Sequence, residues 1–472
     1  MSAAQNHFSH FRQARAPLEG QPGMAGRGGP MGATTADFYR DEFARLKASL
    51  PGGRLPWLQR AREAGLASFA ATGFPTLRQE DWKYTSVAAI EKGRFVLAAR
   101  APPAPNGVTA QQIEDWSLPD TQRLVFVNGH YQPRWSRIAP LPAGVTLASL
   151  AEQLERDPER LESLLGPTPD AYPSGFAALN AAFMTDGAYV HLAAGVALDT
   201  PIHLLFVATA AGFAVQTRNL VVADAGSRAS LIEHHVAVGD GAYFTNVITD
   251  LVAGRDAGIE HHKVQQESLK AFHVAAVNAD QQHGSRFTSR SFALGALLAR
   301  IDIGVGLNAG HTTCALDGLY MTDGRQHIDH HTRIDHAQPH GTSREFYKGV
   351  LAGASRAVFN GKVIVHADAQ HSDADQTNRN LLLSDNAEVD TKPQLEIYAD
   401  DVKCSHGATV GQLDPEQIFY LRSRGVDDAS ARALLTFAFA EEVVDRVGIA
   451  PLRARLEKLL LGRLPERVKE LL

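Results

Sequence analysis

Between residues 187 and 410 the chain is made of short runs in which apolar and polar residues alternate, and each run ends at Gly, Asp or Asn. This alternation predicts β-strands, because neighbouring side chains of a strand point to opposite faces. No long helical pattern separates the runs, which disfavours a doubly wound α/β sheet, and the region is longer than a typical sandwich or barrel. Many short strands without intervening helices suit a β-solenoid core over 171–412, although no strict sequence repeat is visible.

The part of the chain before this region is predicted to form a mainly helical domain over 37–170. Apolar residues recur at helical spacing over 37–72 and again over 147–165. Asp37 is the predicted N-terminal cap of the first helix. The apolar run 124–127, followed by Asn-Gly, predicts a small β element inside this domain.

The last 60 residues carry clear helix signals. The run Asp414-Pro-Glu-Gln417 places a capping residue before a proline in the first turn, and Gly425 ends this helix. Asp427 or Asp428 begins the next one, and Pro451 opens a last amphipathic piece. We therefore predict a helical domain over 413–472. It is too small to bury a core of its own, so it is expected to dock on the end of the solenoid or on a partner.

Composition and charge exclude several classes of protein. The net charge of −6 gives no indication of a nucleic-acid-binding surface, and no apolar run is long enough for a transmembrane helix. The Gly- and Pro-rich residues 1–36 lack the apolar stretch of a secretory signal and are expected to form a flexible tail. Two cysteines fit a reducing cytoplasm, and they fall short of the four thiolates that usually hold an iron–sulfur cluster. Any such cluster would be shared with another chain, or held partly by His or carboxylate.

Cys404 and His406 form the first candidate metal half-site. If residues 402–410 are one strand, both side chains lie on the same face, together with Val402 and Ala408. A thiolate and an imidazole suit iron or an iron–sulfur cluster. The alternative interpretation is a core cysteine beside a hydrogen-bonded histidine, because free cysteines are often buried.

A second candidate is a histidine cluster whose members fall close together in the sequence: His327, His330, His331, His336 and His340. On an extended chain the odd positions 327–335 are all polar, which suits a site of His and carboxylate for iron or zinc. The alternative is a ladder of His–Asp pairs along stacked strands, or a solvated edge. His371, Asp373 and Asp375 also share a face, and a solvated turn is the favoured interpretation for them.

The stretch from Phe359 to Gly411 contains Gln-Thr-Asn-Arg-Asn-Leu-Leu-Leu-Ser and Asp-Asp-Val-Lys-Cys-Ser-His-Gly, and it resembles the SufB/SufD family of iron–sulfur cluster assembly proteins. Glu80-Asp-Trp-Lys-Tyr-Thr85 and Pro339-His-Gly-Thr-Ser-Arg-Glu345 are similar to other stretches of that family. Within the family the chain is more similar to SufD members. SufB chains carry further cysteines, and an acidic–His cluster where this chain has Asp-Pro-Glu-Gln.

The resemblance implies a right-handed parallel β-helix flanked by helical domains, in a cytoplasmic complex with a SufB-like subunit and a SufC-like ATPase. His406 would be an iron or cluster ligand beside a SufB cysteine, with Cys404 in a lesser role. The C-terminal helices would dock the ATPase through Phe419, Tyr420, Arg422 and Arg424. The chain would then be a scaffold and not an enzyme: it would hold no cofactor stably on its own, share iron or a cluster transiently, and use ATP only through its partner.

Two other functions are compatible with a β-helix. One is a carbohydrate-active enzyme such as a polysaccharide lyase, against which the cysteine usage and the missing secretion signal argue. The other is a stand-alone His-rich, metal-dependent enzyme built on residues 327–340.

Overall fold

The computed structural model describes residues 34–98, 107–165, 174–209 and 211–463. Its centre is a β-solenoid of about eight coils, each of which contributes one strand to each of two long, mostly parallel sheets. The predicted fold class, a mainly β solenoid with helices at both ends of the chain, is confirmed. Within the described helices, no segment is both long and apolar enough to cross a membrane.

The odd-numbered strands from β5 onward, together with β1 and β4 of the N-terminal domain, form the first sheet, which we call the odd sheet. Its members are β1 (Val96–Leu97), β4 (Val145–Ser149), β5 (Ala188–Leu192), β7 (Phe213–Ala223), β9 (Phe244–Ala253), β11 (Phe272–Gln281), β13 (Leu298–Leu307), β15 (His327–His336), β17 (Arg356–Val365) and β19 (Glu388–Ile397). The second, even sheet contains β2 (Gln122–Val127), β3 (His130–Tyr131), β6 (Ala197–Ala208), β8 (Arg228–Ala237), β10 (Gly258–Gln266), β12 (Arg286–Ala293), β14 (Thr313–Thr322), β16 (Thr342–Leu351), β18 (Asp373–Leu382) and β20 (Lys403–Gly411).

Residues of neighbouring coils pair in parallel, in register, at sequence separations that vary from 26 to 32 residues. This variation explains why the sequence shows no strict repeat. Inward-facing side chains such as Ile301, Leu316 and Phe359 stack into one continuous apolar core between the sheets. The core grows by one layer with every coil, as expected for a solenoid.

The N-terminal domain caps the first coil. Its helices are α1 (Thr35–Leu46), α2 (Pro56–Thr72), α3 (Ala88–Gly93), α4 (Ala110–Trp116), α5 (Leu150–Arg156), α6 (Pro158–Leu165) and α7 (Gly175–Phe183). Strand β2 pairs in parallel with β6, and β4 pairs antiparallel with β5, so the domain closes both sheets at this end.

The first helix begins three residues before the position that a cap at Asp37 predicts. Thr34 caps α1, its hydroxyl accepting a hydrogen bond from the Asp37 amide at 3.1 Å, while the Asp37 carboxylate accepts from the Thr34 amide. The prediction that Asp37 is the cap was therefore wrong, because Asp37 is the third helical residue of a capping box. Most of the predicted tail, residues 1–33, lies outside the described residues.

The C-terminal helices are α8 (Pro415–Ser423), α9 (Asp428–Val444) and α10 (Ala450–Gly462). Asp414 caps α8, with Pro415 in its first turn, and Asp427 caps α9, as the sequence indicates. Helices α9 and α10 do not dock on the solenoid end. They lie along the outer face of the even sheet, where their apolar side chains and those of the strands form one core: Ile232, Val264, Phe292, Leu319, Phe346, Phe437, Val443, Val444, Leu452 and Leu456.

Candidate functional site at the last coil

The last coil, formed by β19 and β20, leaves one side of each strand unpaired among the described residues. Strand β19 pairs only with β17, and β20 only with β18. Almost every residue of β20 is exposed. Three large apolar residues near this end, Ile397, Tyr398 and Val410, are exposed as well. An unpaired strand edge with apolar side chains is a surface to which another chain can add.

Cys404 and His406 lie on β20 at this open end. Cys404 is half-buried and packs against the apolar core, so its face of the strand points to the interior of the coil. His406, two residues further, shares that face and is exposed. Burial raises the pKa of the Cys404 thiol, which keeps it protonated until a metal or a base takes the proton. The strand thus places the two predicted ligands together; their role as ligands stays a prediction.

Behind His406 a column of polar side chains runs into the solenoid. His406 is in register with Gln376 of β18, and Gln376 with Glu345 of β16. Both inner residues are buried, and the Gln376 amide donates a hydrogen bond to the Glu345 carboxyl group. Burial raises the pKa of Glu345 to about 7, so this carboxyl group is partly protonated near neutral pH.

A second polar column lies beside the first. Asn378 donates to the Tyr320 hydroxyl at 3.1 Å, and that hydroxyl donates to Asn380 at 2.5 Å. Thr391 of the facing sheet donates to Asn378 at 2.9 Å. The interior near the open end is therefore held by hydrogen bonds between coils as well as by apolar packing. The sequence prediction missed this network, whose signal is polar residues spaced two apart within β18.

The histidines of 327–340 do not form a metal site. In β15, His330 and His336 point inward and are buried, whereas the odd-numbered residues face the other side. His327 contacts the Thr85 hydroxyl, and the other odd-numbered residues form ion pairs. Asp329 contacts His331 at 3.1 Å and Arg300 at 2.7 Å. His340 lies in an exposed turn between coils, stacked between His311 and His371. The arrangement matches the ladder of polar pairs, so a metal-dependent enzyme built on these residues is not supported.

The predicted trio of His371, Asp373 and Asp375 is divided among separate partners. His371 pairs with Asp401 at 2.9 Å, and Asp373 with Arg344 at 2.9 Å. Asp375 accepts a hydrogen bond from Ser405 at 2.6 Å. These contacts fasten the turn and the last strand to the preceding coil, as expected for the solvated-turn interpretation.

Helix α8 follows β20 after three residues and presents its side chains to solvent. Phe419 is 72% exposed and Tyr420 is 58% exposed, while Ile418 is buried. The Arg424 guanidinium lies 5.3 Å from the centre of the Tyr420 ring, and Arg422 pairs with Asp428 at 3.7 Å. Two exposed aromatic rings beside two arginines form a patch of the composition found in protein interfaces.

The segment Glu80–Thr85, which we call the strap, crosses the outer face of the odd sheet. Trp82 is buried under the Arg300 guanidinium at 4.2 Å, and the Thr85 hydroxyl donates to Asp329 at 2.5 Å. At the start of the strap, Glu80 pairs with Lys392 of β19 at 2.6 Å. The strap therefore connects the N-terminal domain with the last coil.

Two family models match the chain. The SufBD protein N-terminal region matches residues 33–204, and the SufBD core domain of the SUF system for FeS cluster assembly matches residues 206–439. The first covers the capping domain and the start of the solenoid, and the second covers the coils through β20 and the C-terminal helices as far as α9.

Similar proteins carry corresponding names. An iron–sulfur cluster assembly SufBD family protein of Synechocystis is 35% identical over 401 residues, which cover 82% of this chain and 87% of the relative. The iron–sulfur cluster assembly protein SufD of Escherichia coli is 32% identical over 406 residues, 85% of this chain and 92% of the relative. SufD of Bacillus subtilis is 28% identical over 294 residues, 60% and 65% of the two chains. By its solenoid, its matching domains and the extent of these similarities, the chain belongs to the SufBD family of iron–sulfur cluster assembly proteins.

Proposed function

We propose that this chain is a non-catalytic scaffold subunit of an iron–sulfur cluster assembly complex. Its last coil pairs with a SufB-like subunit, and α8 docks a SufC-like ATPase. His406, with Cys404 in a lesser role, is a ligand to iron or a cluster that is handed over at the junction of the two solenoids. The observation that carries this proposal is the open last coil, where both residues share one face beside an unpaired strand edge.

This chain contributes only two ligands, Cys404 and His406, to the junction. One thiol and one imidazole cannot satisfy an iron–sulfur cluster, which usually takes four thiolates. The remaining donors must then come from the partner chain, and cargo held in this way is released when the two chains move apart. An ATPase that moves α8 would supply the motion, since a two-state element is biased by nucleotide binding.

Replacement of His406 by Ala tests the ligand role. The side chain is exposed, so the melting temperature of the assembled complex is expected to change little, because surface substitutions alter stability by about 0.5 kcal/mol or less. Cluster yield in cells that lack their own copy of the gene is expected to fall strongly. Cys404→Ser is expected to have the milder effect on yield, because the principal thiolate comes from the partner.

Thr409→Ala is the matched control for His406. Thr409 lies on the same strand, exposed, but on the opposite face. Thr409→Ala should leave both the melting temperature of the complex and the cluster yield unchanged. The ligand role is wrong if His406→Ala assembles clusters as well as the control does, or if its yield falls only in proportion to a loss of folded complex.

The double variant Phe419→Ser with Tyr420→Ser tests the docking role of α8. Both rings are exposed, so the variant should fold and keep its partner at the last coil, yet no longer retain the ATPase on an affinity column. Deletion of 413–472 would be a poor test, because α9 and α10 cover apolar side chains of the even sheet that would become exposed. Undiminished retention of the ATPase by the double variant would remove α8 from the interface.

A further inference from the structure

A group of three buried side chains lies far from the last coil, at the corner where the third coil passes from the even to the odd sheet. His235 belongs to β8, Glu267 directly follows β10, and His273 belongs to β11. One possible ligand atom of each lies within 4.8 Å of those of the other two. All three residues are at least 95% buried. No other group of this kind occurs among the residues that the structure describes.

The one ion-pair partner of Glu267 among the described residues is His273, whose ring is charged only when it is protonated. Its two oxygens accept hydrogen bonds from Thr245 at 2.6 Å and from Gln265 at 3.1 Å, and both of these donors are neutral. The nearby Lys263 is engaged by a different carboxylate, Glu233. A buried carboxylate that keeps its charge needs a compensating positive charge close by.

His273 is near enough to compensate Glu267 but is poorly oriented to do so as a protonated ring. Its Nδ1 lies 2.6 Å from a Glu267 oxygen, yet the direction of the ring N–H does not fit a hydrogen bond. Both ring nitrogens lack a hydrogen-bond partner among the described residues, although the side chain is fully buried. An imidazolium in this position would leave two N–H groups unsatisfied, whereas a neutral ring bound to a cation would leave only one.

The contacts around His235 resemble those around histidines that bind metals. Its Nε2 lies 2.7 Å from the Glu233 carboxylate and 3.2 Å from the Lys263 ammonium, and the ring stacks on Phe206 at 4.7 Å. When Nε2–H donates to Glu233, Nδ1 keeps its lone pair for a metal. A carboxylate behind a histidine ligand fixes the ring and its tautomer in many metal sites.

A small cavity lies beside the group. His235, Thr245 and Glu267 line it together with apolar residues, whereas His273 does not, and its volume is about 10 Å³. That is about the smallest space that holds a single water molecule. Donor atoms bound to one zinc or iron ion are about 3.3 Å apart, so the His273 Nδ1 and the Glu267 oxygen, now 2.6 Å apart, would separate by about 0.7 Å around it.

From these contacts we infer that His235, Glu267 and His273 bind one divalent transition-metal ion, Zn²⁺ or Fe²⁺, with a water in the cavity completing the coordination. Two imidazoles and one carboxylate suit both ions. The ion joins the two sheets at a coil corner and is a fixed part of the fold, separate from any cargo at the last coil. This inference does not depend on the proposed scaffold function.

The test is the metal content of the full chain produced in defined medium with added Zn²⁺. Passage over a chelating resin first removes ions held by exposed histidines such as His311 and His340. We expect about one zinc per chain in the unaltered protein, and about a tenth of that or less in Glu267→Gln and His273→Gln. The control is His330→Gln, which changes a buried histidine outside the group and should keep its zinc.

Cobalt substitution decides the case even if the variants do not fold. The unaltered chain produced with Co²⁺ should show the intense visible bands of a four-coordinate ion with nitrogen and oxygen donors. Absence of bound metal in the unaltered chain would overturn the inference. A thiolate-to-cobalt band would also overturn it, because it would assign the ion to a cysteine. So would folded Glu267→Gln or His273→Gln chains that still contain one metal ion each.

Discussion

Glu345 lies in the polar column behind the last coil, and its burial makes stability depend on pH in a defined direction. The ordinary pKa of a Glu side chain is 4.5, and burial raises that of Glu345 to about 7. Between these two pH values the folded chain keeps a proton that the unfolded chain has lost. Stability contributed by this group is therefore fully present below about pH 4.5 and is lost as the pH rises to about 7 and above.

The size of the effect follows from the gap between the two pKa values. A gap of about 2.5 pH units at about 1.4 kcal/mol each gives a loss of about 3 kcal/mol by pH 8, as an upper value. Glu345→Gln has no such proton to lose. Its free energy of unfolding, relative to the unaltered chain, should increase by about 2 to 3 kcal/mol between pH 4.5 and pH 8.

Urea unfolding of both chains at several pH values measures this difference directly. Glu63→Gln, an exposed position on α2, is the control and should show no comparable trend with pH. A difference between Glu345→Gln and the unaltered chain that is constant across the range would refute the reasoning. So would a difference that decreases as the pH rises, because Glu345 would then be stabilised in its charged form.

Two further changes test the packing. Phe437→Ala removes a ring that α9 buries against the even sheet and should cost about 3 kcal/mol of stability. The loss should appear as a lower melting temperature and as earlier proteolysis of the C-terminal helices. An unchanged melting temperature would contradict the docking of α9. Gly187→Ala would place a Cβ 1.9 Å from the Arg218 carbonyl oxygen and should prevent normal folding. Gly195→Ala is the control: Gly195 has φ +74° and open space around it, so the change should cost about 1 to 2 kcal/mol of stability. Equal effects of the two substitutions would show that the close approach at Gly187 does not matter.

The strands that the sequence predicted best are those with an apolar inward face. The run 298–305 reveals β13, whose inward residues are all apolar, and the absence of helices between such runs leads to the solenoid. Strand β16 was missed, and only the end of β18 was found, because their inward faces carry Ser343, Glu345 and Gln376. These side chains are satisfied by residues one coil away, and no local pattern contains that information.

The same reason limits what the sequence says about sites. Cys404 and His406 are close together in the sequence, so their shared face follows from strand geometry alone. His235 and His273 are 38 positions apart and become neighbours only when the coil length is known. The contacts of Asp329 with Thr85 and Arg300 lie similarly outside any local window, which is why a ladder of ion pairs and a metal site were both possible interpretations of 327–335.

The connection between β20 and α8 has a mechanical consequence. Gly411 ends the strand and Pro415 begins the helix, so only three residues separate them. At about 3.5 Å per residue, this tether reaches little more than 10 Å when fully stretched. A force applied to α8 is therefore transmitted to the strand that carries Cys404 and His406 almost without slack. Strand β20, like β19, is the last of its sheet and is held by a single ladder, so such a force would separate it from β18 one hydrogen bond at a time, starting at its C-terminal end.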